Sequence, residues 1–373
     1  MISTFGMKDG IESYTEELCS ALKRHHVKIR KCAIKSSIFH LYLISEAIKS
    51  KADIIHIQHE YSIFKPRPFG FTILIPLILL RMLQRKIVVT LHTVYPIREF
   101  ESYIPPKYRR YNCILKWLAK IIFLTITKLI GKLSHHIIVL TPIGVKILKN
   151  DYGIFNAKFI PYGIHESKIY DAEYAKQRLG LSNKTVLFCF GYPYPNKGFQ
   201  YAIEALNELV KRNFDKIILI LQDTRPAYEY QKCEEYANML KDLVRKKDLA
   251  RYVYFIPFLP EERLSLYLSA TDIFIYPFEY RVAFSSSVMK TLYFRVPHII
   301  SDIPAFEILK SMNLEYVKFV KPQSPTEISK AIIEVLNNSD KFTRSVERMH
   351  ASFNEFDWKN IAKTHIKLYT SAH

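Results

Sequence analysis

Apolar positions along this chain follow two rhythms, and the rhythms alternate. Short, nearly continuous apolar runs within 52–60, 87–92, 137–141, 185–190, 217–221, 252–256, 273–277 and 296–301 are rich in Ile, Val, Leu and Phe and end in polar residues, prolines or glycines. Such runs predict strands buried on both faces, as in a parallel sheet. Helical spacing fills the intervals. Ile11, Tyr14, Leu18 and Leu22 share one face of a helix predicted over 11–23, and further helices are predicted up to Asn150, over 200–212, 230–246, 260–269 and 288–293, and from Phe356 through Leu368. Strand and helix in alternation predict doubly wound parallel sheets. With 373 residues, 49% of them hydrophobic, the chain can bury two cores, so two α/β domains are expected.

The strand ends carry the candidate chemistry, because ligands in open α/β sheets bind beyond the carboxyl ends of the strands. His59 and Glu60 end one strand and His92 ends the next. For His59 and Glu60, contact with a substrate and local hydrogen bonding stand as equal alternatives. A glycine turn, Gly6 to Gly10, leads into the first helix, where Gly10 would serve a ligand loop or a plain turn alike. Farther on, Gly191 closes a strand and Lys197 precedes a helix: bare backbone from the first and a point charge from the second suit a diphosphate. A loop over 279–287 begins with Glu279 and ends in Ser285, Ser286 and Ser287, which open the helix at 288. The free amides of a helix N-terminus attract an anion, most often phosphate.

Read together, ATDIFIYP before that loop, Ser285-Ser286-Ser287-Val288 within it, and Val296-Pro297 leading into IISDIPAFE resemble the donor-binding segment of retaining GT-B glycosyltransferases of the family 4 type, the glycosyl transferases group 1. The segments IHIQHEYSIF, VVTLHTVYP, KFIPYGI and GYPYPNKG resemble further motifs of the family in the expected order, so the resemblance spans nearly the full chain. It implies an α/β, GT-B fold of two Rossmann-like doubly wound domains facing a central cleft. The acceptor-side domain would cover 1–168 and the nucleotide-sugar domain 169–350, with a linker near 165–180 and a last helix in 351–373 crossing back to the first domain. It also implies that Gly10, Gly191, Lys197, Glu279, Ser285, Ser286, Ser287 and Lys290 hold the donor. His59 and Glu60 would face the acceptor, and His92, the catalytic candidate, would sit beside the transferred sugar. The donor would be a nucleoside diphosphate sugar and no other cofactor is implied. No Asp-x-Asp pair occurs, so a catalytic metal is not expected. The sequence departs from the family at three places. Tyr192 or Tyr194 stands for an arginine, and Val282 and Lys290 stand where two glutamates usually contact sugar and ribose. A catalytically degenerate GT-B protein acting as a binding partner is therefore the alternative to an enzyme.

Charge changes the picture for one half only. Residues 1–160 hold 25 basic and 10 acidic residues, while 161–373 hold 29 and 25. Between Lys65 and Lys132 thirteen basic residues face two acids, with apolar runs and Trp117 interleaved. That pattern predicts an anionic partner for the first half, a membrane surface, nucleic acid or an acidic substrate, with charge serving solubility alone as the alternative; the interleaved apolar runs favour a membrane surface bearing a lipid-linked acceptor. No recognised RNA- or DNA-binding signature accompanies it. The first residues lack the basic-then-apolar order of a signal peptide, which with five unpaired cysteines predicts a cytoplasmic protein, peripheral on the membrane, whose cysteines are reduced and buried. Met1 to Phe5 reads as the tail of a first strand, either shortened or continued upstream.

Overall fold

The computed structural model describes residues 1–7, 9–34, 40–61, 63–64, 70–100, 113–164, 167–224, 230–279, 285–294, 296–312, 314–338 and 356–371. Val282 and the basic residues within 65–69 and 101–112 lie outside them. The chain divides into two compact units, the first running to Gly163 and taking in the last helix, the second starting at Ile164.

In the first unit β1 (Ile2–Ser3), β2 (Cys32–Ala33), β3 (Ile54–His59), β4 (Lys86–Leu91), β5 (His136–Val139) and β6 (Ala157–Phe159) form one parallel sheet in the order β2-β1-β3-β4-β5-β6. Its helices are α1 (Gly10–Arg24), α2 (Leu41–Ser50), α3 (Leu74–Met82), α4 (Cys113–Leu133), α5 (Pro142–Tyr152) and the C-terminal α13 (Trp358–Thr370). In the second unit β7 (Thr185–Cys189), β8 (Ile217–Gln222), β9 (Val253–Ile256), β10 (Ile273–Tyr276), β11 (His298–Ser301) and β12 (Val317–Val320) form a parallel sheet in the order β12-β11-β10-β7-β8-β9. The helices are α6 (Ala172–Leu179), α7 (Phe199–Val210), α8 (Tyr230–Lys246), α9 (Glu261–Ser269), α10 (Ser286–Leu292), α11 (Glu307–Ser311) and α12 (Pro325–Asn337). The central strands β3, β4, β7, β8 and β10 are buried along nearly their whole length, which is why they read as unbroken apolar runs.

Both sheets reverse direction beside their first strand, between β1 and β3 in the first and between β7 and β10 in the second. A reversal leaves a crevice at the carboxyl ends of the two strands, since the helices leaving them cover opposite faces. The loops singled out in the sequence leave these strands and their neighbour β4.

Two expectations are corrected. The second half of the stretch taken as linker is a helix, α6: Asp171 caps it by accepting from Tyr174 N at 2.8 Å, and Gly180 ends it in the left-handed conformation at φ 70°. Lys176, buried on α6, pairs with Asp272 at 2.9 Å, which ties this helix to the second unit. The cysteines are free, but only Cys19, Cys189 and Cys233 are buried; Cys32 is half-buried on a two-residue edge strand and Cys113 is exposed at the start of α4.

Candidate functional site: a cationic pocket at the β7/β10 reversal and a histidine relay at the ends of β3 and β4

In the second unit the site starts from backbone constraints. Gly191, just past β7, has φ 126°, and a Cβ there would lie 3.1 Å from Lys197 Nζ and 3.3 Å from Ser287 Oγ. Its amide donates to Gln222 Oε1 at the end of β8, 2.9 Å away. Gly198, at φ 67°, leaves no choice of residue, because a Cβ would fall 1.9 Å from the carbonyl oxygen of Pro277. That close approach seats the start of α7 on the end of β10 and fixes the 3-10 turn Pro195–Lys197 that carries the lysine.

Lys197 is buried, its ammonium 3.2 Å from Ser287 Oγ and 4.6 Å from the ring centre of Phe278. Ser285 is the N-cap of α10; its carbonyl accepts from Val288 and Met289, and its hydroxyl lies 2.8 Å from that of Ser287. Ser286 is the first residue of the helix. Behind it, Tyr276 donates from its hydroxyl to Ser287 O at 2.9 Å and lies 2.8 Å from Thr291 Oγ1. Thr291 in turn is 3.0 Å from Nε2 of His298, whose Nδ1 donates to Val296 O. Burial pushes His298 down to about 3, so this buttress behind the ammonium of Lys197 is neutral.

Glu279 adjoins through the start of α7. Its amide donates to Asn196 O at 3.1 Å, and its carboxylate accepts from Gln200 Nε2 at 2.8 Å and Tyr201 Oη at 3.0 Å. Lys290 is held elsewhere. It donates to Glu261 Oε2 of α9 at 2.6 Å, and that carboxylate also accepts from Ser167 at 3.2 Å. The structure thus brings together Gly191, Lys197, Ser285 and Ser287, with Glu279 alongside, and places Lys290 in an ion pair.

The first unit holds its strand-end groups by hydrogen bonds among side chains. His92 follows β4, and its amide donates to His59 O at 3.0 Å, prolonging the β3–β4 ladder. His92 Nε2–H donates to Gln58 Oε1 at 2.9 Å, the Gln58 amide donates to His56 Nε2 at 3.3 Å, and His56 Nδ1–H reaches Tyr369 of α13 at 2.7 Å. Thr90 also meets His56 Nε2 at 2.7 Å. Tyr14 of α1 stands edge-on to His92, ring centres 5.1 Å apart, and packs on Tyr162 and Trp358. Burial pushes His92 down to about 3, so its imidazole is neutral near pH 7, with Nδ1 as its acceptor.

His59 is fully buried, its ring against Tyr61 and Phe64, and neither ring nitrogen has a hydrogen-bond partner; burial first, then His92, push it down to about 3. Glu60 is engaged locally, accepting from Tyr61 N at 3.0 Å and from the Thr93 hydroxyl. Gly10 is the first residue of α1, behind the cap Asp9, and the left-handed glycine of that turn is Gly6, at φ 88°. Gln222, Gln58, Gly198 and Glu261 were not singled out from sequence. For Gln222 the signal was there, a polar residue closing the apolar run ILILQ, as His59 closes its own.

Comparison with known proteins bears on the fold. Residues 171–351 match the family Glycosyl transferases group 1. No curated protein sequence matches. Among solved structures, HepE from Anabaena, crystallised with UDP, superposes at a TM-score of 0.73 with 15% identity over 99% of this chain and 98% of that one. Sucrose-phosphate synthase from Thermosynechococcus elongatus gives 0.74 with 16% identity over 96% and 92%. WaaG, a glycosyltransferase involved in lipopolysaccharide biosynthesis, gives 0.70 with 12% identity over 99% and 98%. At these identities the likeness is one of fold. The chain therefore has the GT-B fold of these glycosyltransferases, and the match to Glycosyl transferases group 1 falls on its second unit.

Proposed function

We propose that this chain is a retaining glycosyltransferase moving a sugar from a nucleoside diphosphate sugar to a hydroxyl acceptor. One observation carries the reading: a buried ammonium, Lys197, stands beside Ser287 and the bare backbone of Gly191 at the reversal of the second sheet. A diphosphate gains negative charge as its bond to the sugar breaks, and a fixed cation out of water stabilises that charge most where it develops. HepE is solved with UDP, with UDP and glucose, and with UDP-glucose, and on this reading the donor here is of the same class.

The step needs no carboxylate nucleophile. The bond from the anomeric carbon to the diphosphate oxygen breaks, the acceptor oxygen bonds to that carbon from the same face, and the acceptor proton passes to the leaving diphosphate. Lys197 and the start of α10 hold the diphosphate, and Glu279, pinned by Gln200 and Tyr201, accepts from hydroxyls of the transferred sugar. A neutral His92, its Nε2–H committed to Gln58, offers Nδ1 as an acceptor to a sugar hydroxyl and is no general acid near pH 7. The acceptor on this reading is lipid-linked and lies at an anionic membrane surface. The basic excess of residues 1–160 supports it, as does the fold shared with WaaG.

The test is calorimetric titration with nucleoside diphosphates, followed by donor turnover. Lys197→Ala should weaken binding by about 1.5–3 kcal/mol, the loss of a hydrogen bond to a charged group, or roughly 10- to 150-fold. Unchanged affinity removes Lys197 from the site. Tight binding without transfer or hydrolysis of any nucleotide sugar leaves the degenerate binding protein as the better reading. The specific observation behind that alternative is Lys290, whose ammonium is bound to Glu261 where the family pattern has a carboxylate.

A further inference from the structure

We infer that the first unit docks on an anionic lipid bilayer through the outward face of its α2–α3–α4 layer, with the first half of α4 as the inserting element. The inference rests on the membrane-acceptor reading above and adds the surface that makes the contact.

The starting point is how unequally α4 is buried. From Phe123 onward it packs as a sheet-covering helix should, with Phe123, Ile126, Thr127, Ile130 and Gly131 buried. From Cys113 to Ile122 no residue is buried, although seven of the ten are apolar or aromatic by type: Ile, Leu, Trp, Leu, Ala, Ile and Ile. Trp117 is 61% exposed and Ile114 63%. The apolar residues thus continue for nearly three turns past the end of the core they would be expected to cover.

The exposure continues on the neighbouring helices. The chain passes right-handed from β2 to β3, from β3 to β4 and from β4 to β5, which sets α2, α3 and α4 on one face of the sheet. α3 packs against both of the others. On α3, Ile78 and Met82 are one turn apart and exposed, Met82 at 74%, and Ile48 is exposed on α2. Exposed apolar side chains gathered on one helix in this way, six of them between Ile114 and Ile122, mark an interaction site.

Charge decides the occupant. α4 carries Lys116, Lys120, Lys128 and Lys132 and no acidic residue, and α3 has Arg81 and no acid. Glu46, the acid of α2, is paired with Arg30. A protein-binding surface is depleted of lysine at its apolar core, whereas a helix lying in a bilayer interface combines apolar bulk, tryptophan and lysines that reach anionic headgroups. Spanning is excluded by position, since the second half of α4 is buried in the unit's own core. No helix among the described residues is long and apolar enough to cross a membrane.

The experiment uses the full chain, without donor or acceptor, and vesicles of phosphatidylcholine alone or with roughly a third phosphatidylglycerol. Co-sedimentation should favour the anionic vesicles by about tenfold or more and fall as salt rises from roughly 0.05 to 0.5 M. Trp358 is buried, so a blue shift of tryptophan emission on binding, quenched by brominated lipid, reports Trp117. Trp117→Glu with Ile121→Glu should lower partition about tenfold, and Ile121→Glu alone, which keeps the reporter, should weaken the shift. Lys128→Glu with Lys132→Glu, both exposed, should weaken binding to anionic vesicles alone; this pair keeps the test valid if the first variant does not fold. Equal binding to both vesicle types, no binding to either at low salt, or a dimer in sedimentation velocity that Trp117→Glu dissociates would overturn the inference. Donor binding in solution is independent of every arm, so loss of docking with donor binding intact sinks this inference and leaves the glycosyltransferase reading standing.

Discussion

The second unit holds its strand-end groups by backbone geometry, and the first holds them by one another. Around Lys197 the decisive features are two glycines in left-handed conformation, one so close to Pro277 that no side chain fits. Around His92 they are a chain of neutral side chains, His92 to Gln58 to His56 to Tyr369, backed by Tyr14. The difference follows from what each is proposed to bind. A diphosphate needs a positive charge and bare amides at fixed positions, which rigid backbone supplies. A sugar hydroxyl needs neutral donors and acceptors in a definite order, which a relay of amide, imidazole and phenol supplies. The surfaces differ as well. Of the nineteen exposed large hydrophobic side chains among the described residues, fourteen lie in the first unit, so the unit that holds its strand-end groups by side chains also has the more apolar surface.

Acid should expose this difference most strongly. His56, His59, His92 and His365 in the first unit, and His298 in the second, are kept neutral by burial, with His59, His92 and His298 pushed down to about 3 and His365 to about 4. Their folded values lie below the unfolded value near 6.5, so the unfolded chain binds more protons as pH falls. Their contribution is therefore complete above about pH 6.5 and is lost as pH drops toward the folded values. At pH 5 each histidine costs at most about 2 kcal/mol, so the first unit should lose up to about 8 kcal/mol and the second about 2. Hydrogen exchange of β3 and β4 against β8 and β10, corrected for intrinsic rates, should show the first sheet opening first between pH 7 and pH 5. Equal loss of protection in both sheets would show that the relay is no weaker than the backbone-held site.

Next in size is Gly198→Ala. The added Cβ meets Pro277 O at 1.9 Å in a left-handed conformation, so the start of α7 must move off β10, and a loss of about 3–5 kcal/mol in unfolding free energy is expected. Gly191→Ala meets only the end of Lys197 and the side chain of Ser287, at 3.1 and 3.3 Å. It should cost about 1–2 kcal/mol in stability and weaken nucleoside diphosphate binding through the displaced ammonium. Denaturant unfolding and calorimetry on the two variants separate a glycine that holds the fold from one that shapes the site. Similar stability losses in both would contradict that division.

These contrasts also mark where the sequence was legible. Unbroken apolar runs ended by polar residues correctly located β3, β4, β5, β7, β8 and β10, because strands buried on both faces have that composition. β2 and β12 were not recognised: β2 is two residues long, and the VKFV of β12 is buried only at its ends. α6 reads as linker in the sequence because its composition is polar, although Asp171 and Gly180 flank it as cap and stop. The cluster of Lys197 with Ser285 and Ser287 was legible because glycine, lysine and serine at strand ends have few other uses in that pattern. The relay behind His92 was not, since Gln58, Thr90 and Tyr369 come from three elements that only the fold brings together.

The smallest effect belongs to Lys290, where sequence and structure pull apart. The family pattern puts a carboxylate at this position, and the structure supplies one from the neighbouring helix, with Glu261 Oε2 2.6 Å from Lys290 Nζ. Glu261 is 54% exposed in its side chain, so the pair is screened, and a double-mutant cycle of Lys290→Gln with Glu261→Gln should give a coupling of about 0.5 kcal/mol in stability. Lys290→Glu, which restores the pattern, should lose about as much by facing two carboxylates across that gap. Donor affinity is the sharper readout. If Glu261 has taken over the hydroxyl contact, Glu261→Gln should weaken donor binding roughly 3- to 10-fold, as loss of one hydrogen bond does, and the double variant should be no worse than Glu261→Gln alone. Lys290→Gln would then act only by releasing that carboxylate. If Lys290→Gln weakens binding while Glu261→Gln does not, the ammonium itself meets the donor, and the second unit has rebuilt this corner of its site around a cation.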